Sequence, residues 1–163
     1  MKTLTFKLTM VSAVLLMLAG VTLACKDDTE KKIYPMSFEK ESPIDTFFEQ
    51  YLSNSKCFFI EDNAIKYMLI NSMNGLNNQM LCSLDTIPDI DFDTKTLIIG
   101  QHRMPQIYYE IVEQYILEKE TLLELNLIVR RSEGTYEAFS SMHYWGIYPK
   151  LPSKDIFINI IEN

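Results

Sequence analysis

The chain has 163 residues, 15 of them basic and 22 acidic, for a formal charge of -7, and 47% are apolar. Such a composition belongs to a folding chain rather than a disordered one, and its acidic balance excludes a nucleic-acid binder, which needs a basic face. The length suits one folded domain.

The first 24 residues read as an export segment. Lys2 and Lys7 give a positive start, and an apolar run from Leu8 to Ala24 follows, the layout of a secretory signal peptide. Its strongly apolar part, Met10 to Leu23, is short for a membrane-spanning helix, which takes about 20 residues. The segment ends Val21-Thr22-Leu23-Ala24-Cys25, which resembles a bacterial lipobox, with Thr22 standing where leucine is usual. The resemblance implies cleavage before Cys25 and lipidation of that cysteine; an ordinary signal peptidase would cut at the same bond. Lys26-Asp27-Asp28 resembles the short acidic signal that takes many Bacteroidota lipoproteins to the outer face of the outer membrane, with the periplasmic face as the alternative. Cleavage would remove two lysines and no acid, deepening the charge from -7 to -9. Residues 25–41 are dominated by charge and read as a flexible tether.

A single β-rich domain is expected over residues 42–163. Ser42-Pro43-Ile44-Asp45 has the grammar of a helix start: a capping Ser, Pro at the first helical position and an acid at the third. Ile44, Phe47, Phe48, Tyr51 and Leu52 then form one apolar stripe. Extended runs over 57–60 and 65–70 flank Glu61-Asp62-Asn63, a hairpin connection. Residues 72–81 read as a short second helix with Leu76 and Met80 facing inward. Strands follow at 95–102, 107–117, 122–130, 136–148 and 156–161, joined by polar turns and read as a β-meander. In the 122–130 run, Leu123, Leu125, Leu127 and Val129 share one face, the mark of a sheet with one buried side. The fold class expected is α+β: an antiparallel β-sandwich or small barrel with one or two short N-terminal helices.

Candidate chemistry is sparse. No cofactor fingerprint, metal set or nucleophile motif is legible, so a non-enzymatic protein without cofactor or metal is expected. With Cys25 lipidated, Cys57 and Cys82 remain as an even pair in an exported chain, either disulfide-bonded or two free thiols. Asp85, Asp89, Asp91 and Asp93 cluster, but Thr94 and Gly100 stand where a calcium loop counted from Asp89 needs Gly and Glu, so the reading is a solvated strand entry. His102 and His143 could meet across neighbouring strands, yet two ligands do not hold a metal. The aromatic group Tyr144, Trp145 and Tyr148 is the candidate ligand-contact set: alternation puts both tyrosines on one face and Trp145 on the other, and such rings would engage a protein, a peptide or a neutral glycan. Core packing of the same rings is the competing reading.

The stretch Ile90-Asp91-Phe92 to Leu97-Ile98-Ile99-Gly100 with the hairpin after it, and the later Tyr144-Trp145 to Pro149-Lys150-Leu151-Pro152, resemble small surface lipoproteins of Bacteroidota. More distantly, the element order over about residues 57–162 is similar to the C-terminal domain of a family of B-like subunits of protease complexes, with Met104-Pro105-Gln106-Ile107-Tyr108 standing in place of a Gly-Gly-Tyr type of turn. No catalytic residues come with either resemblance. The sequence thus predicts an outer-membrane lipoprotein, anchored by its N-terminal lipid, whose β domain binds a ligand or partner. An envelope protease inhibitor or protease-complex accessory is the alternative, which exposure of the segment Met104–Tyr108 as a strand-edge loop would favour.

Overall fold

A computed structural model describes residues 31–37, 42–53, 57–59, 65–82, 87–105, 109–131 and 139–163. In chain order the elements are β1 (Ile33–Pro35), α1 (Pro43–Ser53), β2 (Lys66–Ile70), α2 (Met73–Gln79), β3 (Lys95–Met104), β4 (Tyr109–Glu118), β5 (Leu122–Arg131), β6 (Ser140–Pro149) and β7 (Asp155–Glu162). The strands make two packed sheets, one in the order β1-β4-β5-β7 and one in the order β2-β3-β6. The class is therefore an α+β sandwich, not a closed barrel.

Each layer follows from the residues that face it. Ile98, Met104, Met142, Tyr144 and Tyr148 project from the three-stranded sheet into a core shared with Tyr34, Ile116, Leu123, Leu125, Leu127, Val129 and Ile156 of the four-stranded one. The opposite face of the three-stranded sheet, with Leu97, Ile99, Ile147 and Trp145, is covered by Phe47, Phe48 and Leu52 of α1 and by Leu76 of α2. The alternating leucines of β5 are all fully buried, as the period-two pattern requires.

Both helices start as their sequences dictate. The backbone N–H of Asp45 donates to Ser42 Oγ at 3.3 Å, and that of Gly75 to Ser72 Oγ at 2.9 Å. A third local motif opens β3. Asp91 Oδ1 accepts from the Asp93 N–H at 3.1 Å and Asp91 Oδ2 from the Thr94 hydroxyl at 2.6 Å, while Ile90 and Phe92 turn inward. The Thr94 hydroxyl holds the Asp91 carboxyl below its ordinary range. This is the solvated strand entry that the spacing of its carboxylates suggested; Asp85 lies outside the described residues.

Four sequence expectations need correction. The strands are not a meander throughout: β4 and β5 pair as sequence neighbours, but β3 pairs with β6, and the chain changes sheet between β1 and β2, β3 and β4, β5 and β6, and β6 and β7. The sheets are not wholly antiparallel, because β7 returns alongside β5 in parallel, from Leu122↔Asp155 to Val129↔Glu162. Residues 57–59 form no strand, since Cys57 is held by its partner cysteine and by the Leu81 N–H donating to its carbonyl at 2.6 Å; the hairpin connection Glu61-Asp62-Asn63 lies outside the described residues. The domain also begins earlier than residue 42. Ile33–Pro35 pair with Leu117–Tyr115, and Tyr34 is buried in the sandwich core, so the compact unit runs from Lys31 to Asn163 and takes in residues 31–37. One buried ring and a carboxylate pin this short strand: Tyr34 Oη donates to Glu118 Oε2 at 2.7 Å, and Lys154 Nζ to Glu118 Oε1 at 2.8 Å.

Candidate functional site

Cys57 and Cys82 are bonded, with Cα atoms 5.0 Å apart. The link ties the segment after α1 to the end of α2, both of which pack on the same face of the three-stranded sheet. Cys25 lies outside the described residues.

The three aromatic candidates separate as alternation demands, but two of them are not surface groups. Tyr144 is 2% exposed and Tyr148 fully buried, both in the core between the sheets, where burial drives both phenols well above their usual range. The expectation that these tyrosines form a ligand-contact face is corrected accordingly. Glycines opposite and beside them explain why they fit: a Cβ on Gly100 would fall on the Tyr144 ring, and one on Gly146 on the Tyr148 ring. Trp145 points to the other side of the sheet, stacked on Phe48 with centroids 4.7 Å apart, and is only partly buried.

Trp145 opens instead onto a groove of about 570 Å³ along the seam between α1, β4 and the outer edge of β6. Sequence reasoning missed its other wall, which depends on a bulge in β4. The β4–β5 register slips between Ile111 and Glu113, leaving Val112 as the additional residue, 40% exposed. A bulge bends a strand and re-aims its side chains. Here it precedes Gln114, whose Nε2 donates to the Trp145 carbonyl at 2.6 Å and also contacts Met36 Sδ, bridging the two sheets. The groove floor is aliphatic and aromatic, from Ile111, Val112 and Trp145. Its rim carries four carboxylates, Asp45 and Glu49 on α1 and Glu110 and Glu113 on β4, against Arg130 and His143. Arg130 is already engaged by Glu110 at 3.2 Å. Among the described residues that line it, carboxylates therefore outnumber cations.

A second groove of about 550 Å³ lies beside β2, lined by Phe58, Phe59, Ile65, Tyr67 and Leu81 with Lys66. Gln79 and Lys66 are its polar lining, and it lacks the carboxylate rim of the first.

The remaining candidates do not converge. His102 stands opposite Met142, and His143 opposite Gln101, so the two imidazoles project from opposite faces of the sheet. Burial lowers the pKa of His102. Among the described residues no three His, Cys, Asp or Glu side chains are placed to hold a metal ion. Within the loop considered for an inhibitor, Met104 is buried, and residues 106–108 lie outside the described residues.

No protein-family model matches the chain, and neither a curated protein nor a solved structure is significantly similar to it.

Proposed function

We propose that the chain is a lipoprotein of the cell envelope, held at the outer membrane by acyl chains on Cys25, whose β domain binds a cationic segment of a protein or peptide without transforming it. Export is supported by the charged-then-apolar leader ending at Ala24-Cys25 and by the Cys57–Cys82 bond, since disulfides persist in oxidising compartments. Several acyl chains, each adding about 0.8 kcal/mol per buried methylene, would hold such a domain stably at a membrane.

The observation that carries the binding reading is the seam groove: an apolar floor at Ile111, Val112 and Trp145 under a rim richer in carboxylate than in cation. A lysine or arginine side chain offers an aliphatic stem for that floor and a charged head for that rim. The formal charge, -7 for the whole chain and -9 after cleavage before Cys25, acts in the same direction, attracting cationic segments and repelling anionic polymers.

The test is calorimetric titration of the full-length protein in detergent with a lysine-rich decapeptide and with its glutamate-rich counterpart. Binding of the lysine-rich peptide, weakened by salt and by the double reversal Glu49→Lys with Glu113→Lys, is the expected result. Equal binding of both peptides, or affinity unchanged by the reversal, would contradict the proposal.

A further inference from the structure

The sandwich protects three of its four sheet edges. β1 is three residues long and ends in Pro35, and β2 is only five residues long. The outer edge of β6 is occupied in part by the Ser37 N–H donating to the Ile147 carbonyl and the Gln114 amide donating to the Trp145 carbonyl, both at 2.6 Å. The fourth edge is different. β7 runs Ile156-Phe157-Ile158-Asn159-Ile160-Ile161 without a charge, a proline or a bulge, and among the described residues its only strand partner is β5. An edge of this kind is a template for another strand.

Its hydrogen-bonding phase can be read directly. The Asn163 N–H donates to the Val129 carbonyl at 2.9 Å, so the odd-numbered residues of β7 direct their backbone groups toward β5. The N–H and C=O groups of Ile156, Ile158, Ile160 and Glu162 therefore point the other way, along the open edge.

We propose that this edge pairs antiparallel with the β7 of a second copy, about a twofold axis through Asn159, joining two four-stranded sheets into one of eight. The phase restricts the registers that self-pairing can use, because a shift of one residue sets an outward-bonding residue against an inward-bonding one. With Asn159 on the axis, Ile158 meets Ile160 of the second copy and Ile156 meets Glu162 as hydrogen-bonded pairs. On the solvent side Phe157, 55% exposed, meets Ile161, 38% exposed, twice. Asp155 faces Asn163, so no like charges are opposed. A register centred on Ile158 would instead set Phe157 against Asn159 and Asp155 against Ile161. Asn159 also fits the axis chemically. One N–H of its amide is given to Asn126 Oδ1 at 2.9 Å, and the other N–H and its Oδ1 suit a reciprocal pair with Asn159 of the second copy.

The test uses full-length protein in its membrane fraction, oxidised with copper–phenanthroline. Asn159→Cys places two thiols on directly opposed residues and is expected to give a reducible dimer that the unsubstituted chain does not. Phe157→Cys should give none, because in this register its copies sit roughly 13 Å apart. Phe157→Lys, added to Asn159→Cys, should reduce the dimer by roughly tenfold, and further addition of Ile161→Glu should restore it. Light scattering of the unsubstituted protein in detergent gives a second reading that needs no variant, with twice the monomer mass expected. A monomer at every concentration, cross-linking as strong through Phe157→Cys, or a dimer indifferent to Phe157→Lys would each overturn the proposal.

Discussion

Gly100→Ala is the most informative single perturbation of the fold. Gly100 lies in β3 opposite Tyr144 in β6, and the tyrosine ring occupies the space that a side chain at 100 would need. A Cβ built there falls within 2.5 Å of the ring's Cε2, Cζ and hydroxyl oxygen. Carbon atoms in contact stand about 3.5–4.0 Å apart, so the ring must move by about an ångström or more. It has nowhere to go, since Tyr144 is 2% exposed and packed in the core between the sheets. Overpacking of this kind costs about 1–3 kcal/mol. Replacing glycine reduces the entropy of the unfolded chain and returns about 0.4–1 kcal/mol of that. The net expectation is a loss of about 1–2 kcal/mol, or roughly 3–8 °C in Tm for a domain of this size. Urea denaturation followed by circular dichroism measures it, and a double-mutant cycle locates it: with Tyr144→Leu in place, Gly100→Ala should cost roughly 1 kcal/mol less than alone. A neutral Gly100→Ala, or the same cost in both backgrounds, would refute the packing of Tyr144 over Gly100 and make that ring a candidate surface contact group again.

Other expectations follow from the same contacts. Replacing Cys57 and Cys82 together by alanine releases a crosslink spanning 25 residues and should lower stability by about 3.5 kcal/mol in the chain-entropy account, with a reductant having no further effect on the variant in denaturant titrations. Thr96 is fully buried; its hydroxyl donates to Asn71 Oδ1 at 2.7 Å and accepts the Leu151 N–H at 3.2 Å, so Thr96→Val should cost about 1–3 kcal/mol in the same assay by leaving a buried donor unmatched. The Glu118 carboxyl is held below its ordinary range, first by Lys154 and then by Tyr34, so the stability it contributes is full above the unfolded pKa and is lost as pH falls through the lower folded value. Thermal melts across the acid limb should show Glu118→Gln losing less stability than the unsubstituted protein; identical slopes would contradict this.

What the sequence disclosed, and what it did not, divides along physical lines. Local grammar was readable. Ser42 caps the helix that its sequence context assigns it, and Leu123 to Val129 bury the face that alternation assigns them. Counting cysteines behind a leader that reads as an export segment left Cys57 and Cys82 as a disulfide or two free thiols, and they are bonded. The β4–β5 hairpin was readable, but the other strand neighbours were not, because β3–β6 pairing and the parallel return of β7 are set by connections that cross between sheets. β1 was missed because three residues amid charges show no periodicity, and a single ring, Tyr34, fastens them. The candidate groove was only partly visible. Trp145 was singled out, but its opposite wall depends on the slip at Val112, a bulge within a run that reads as an ordinary strand. Tyr144 and Tyr148 were assigned to the correct face, and only the second sheet packed over that face makes it core rather than surface.

Export of the domain and its anchoring by lipid on Cys25 can be read from the mass of the N-terminal peptide of the native protein. The expected mature chain begins at Cys25, with that peptide heavier than its sequence by a diacylglyceryl group, with or without a further N-acyl chain. Retention of residues 1–24, or a mature chain with an unmodified Cys25, would contradict it.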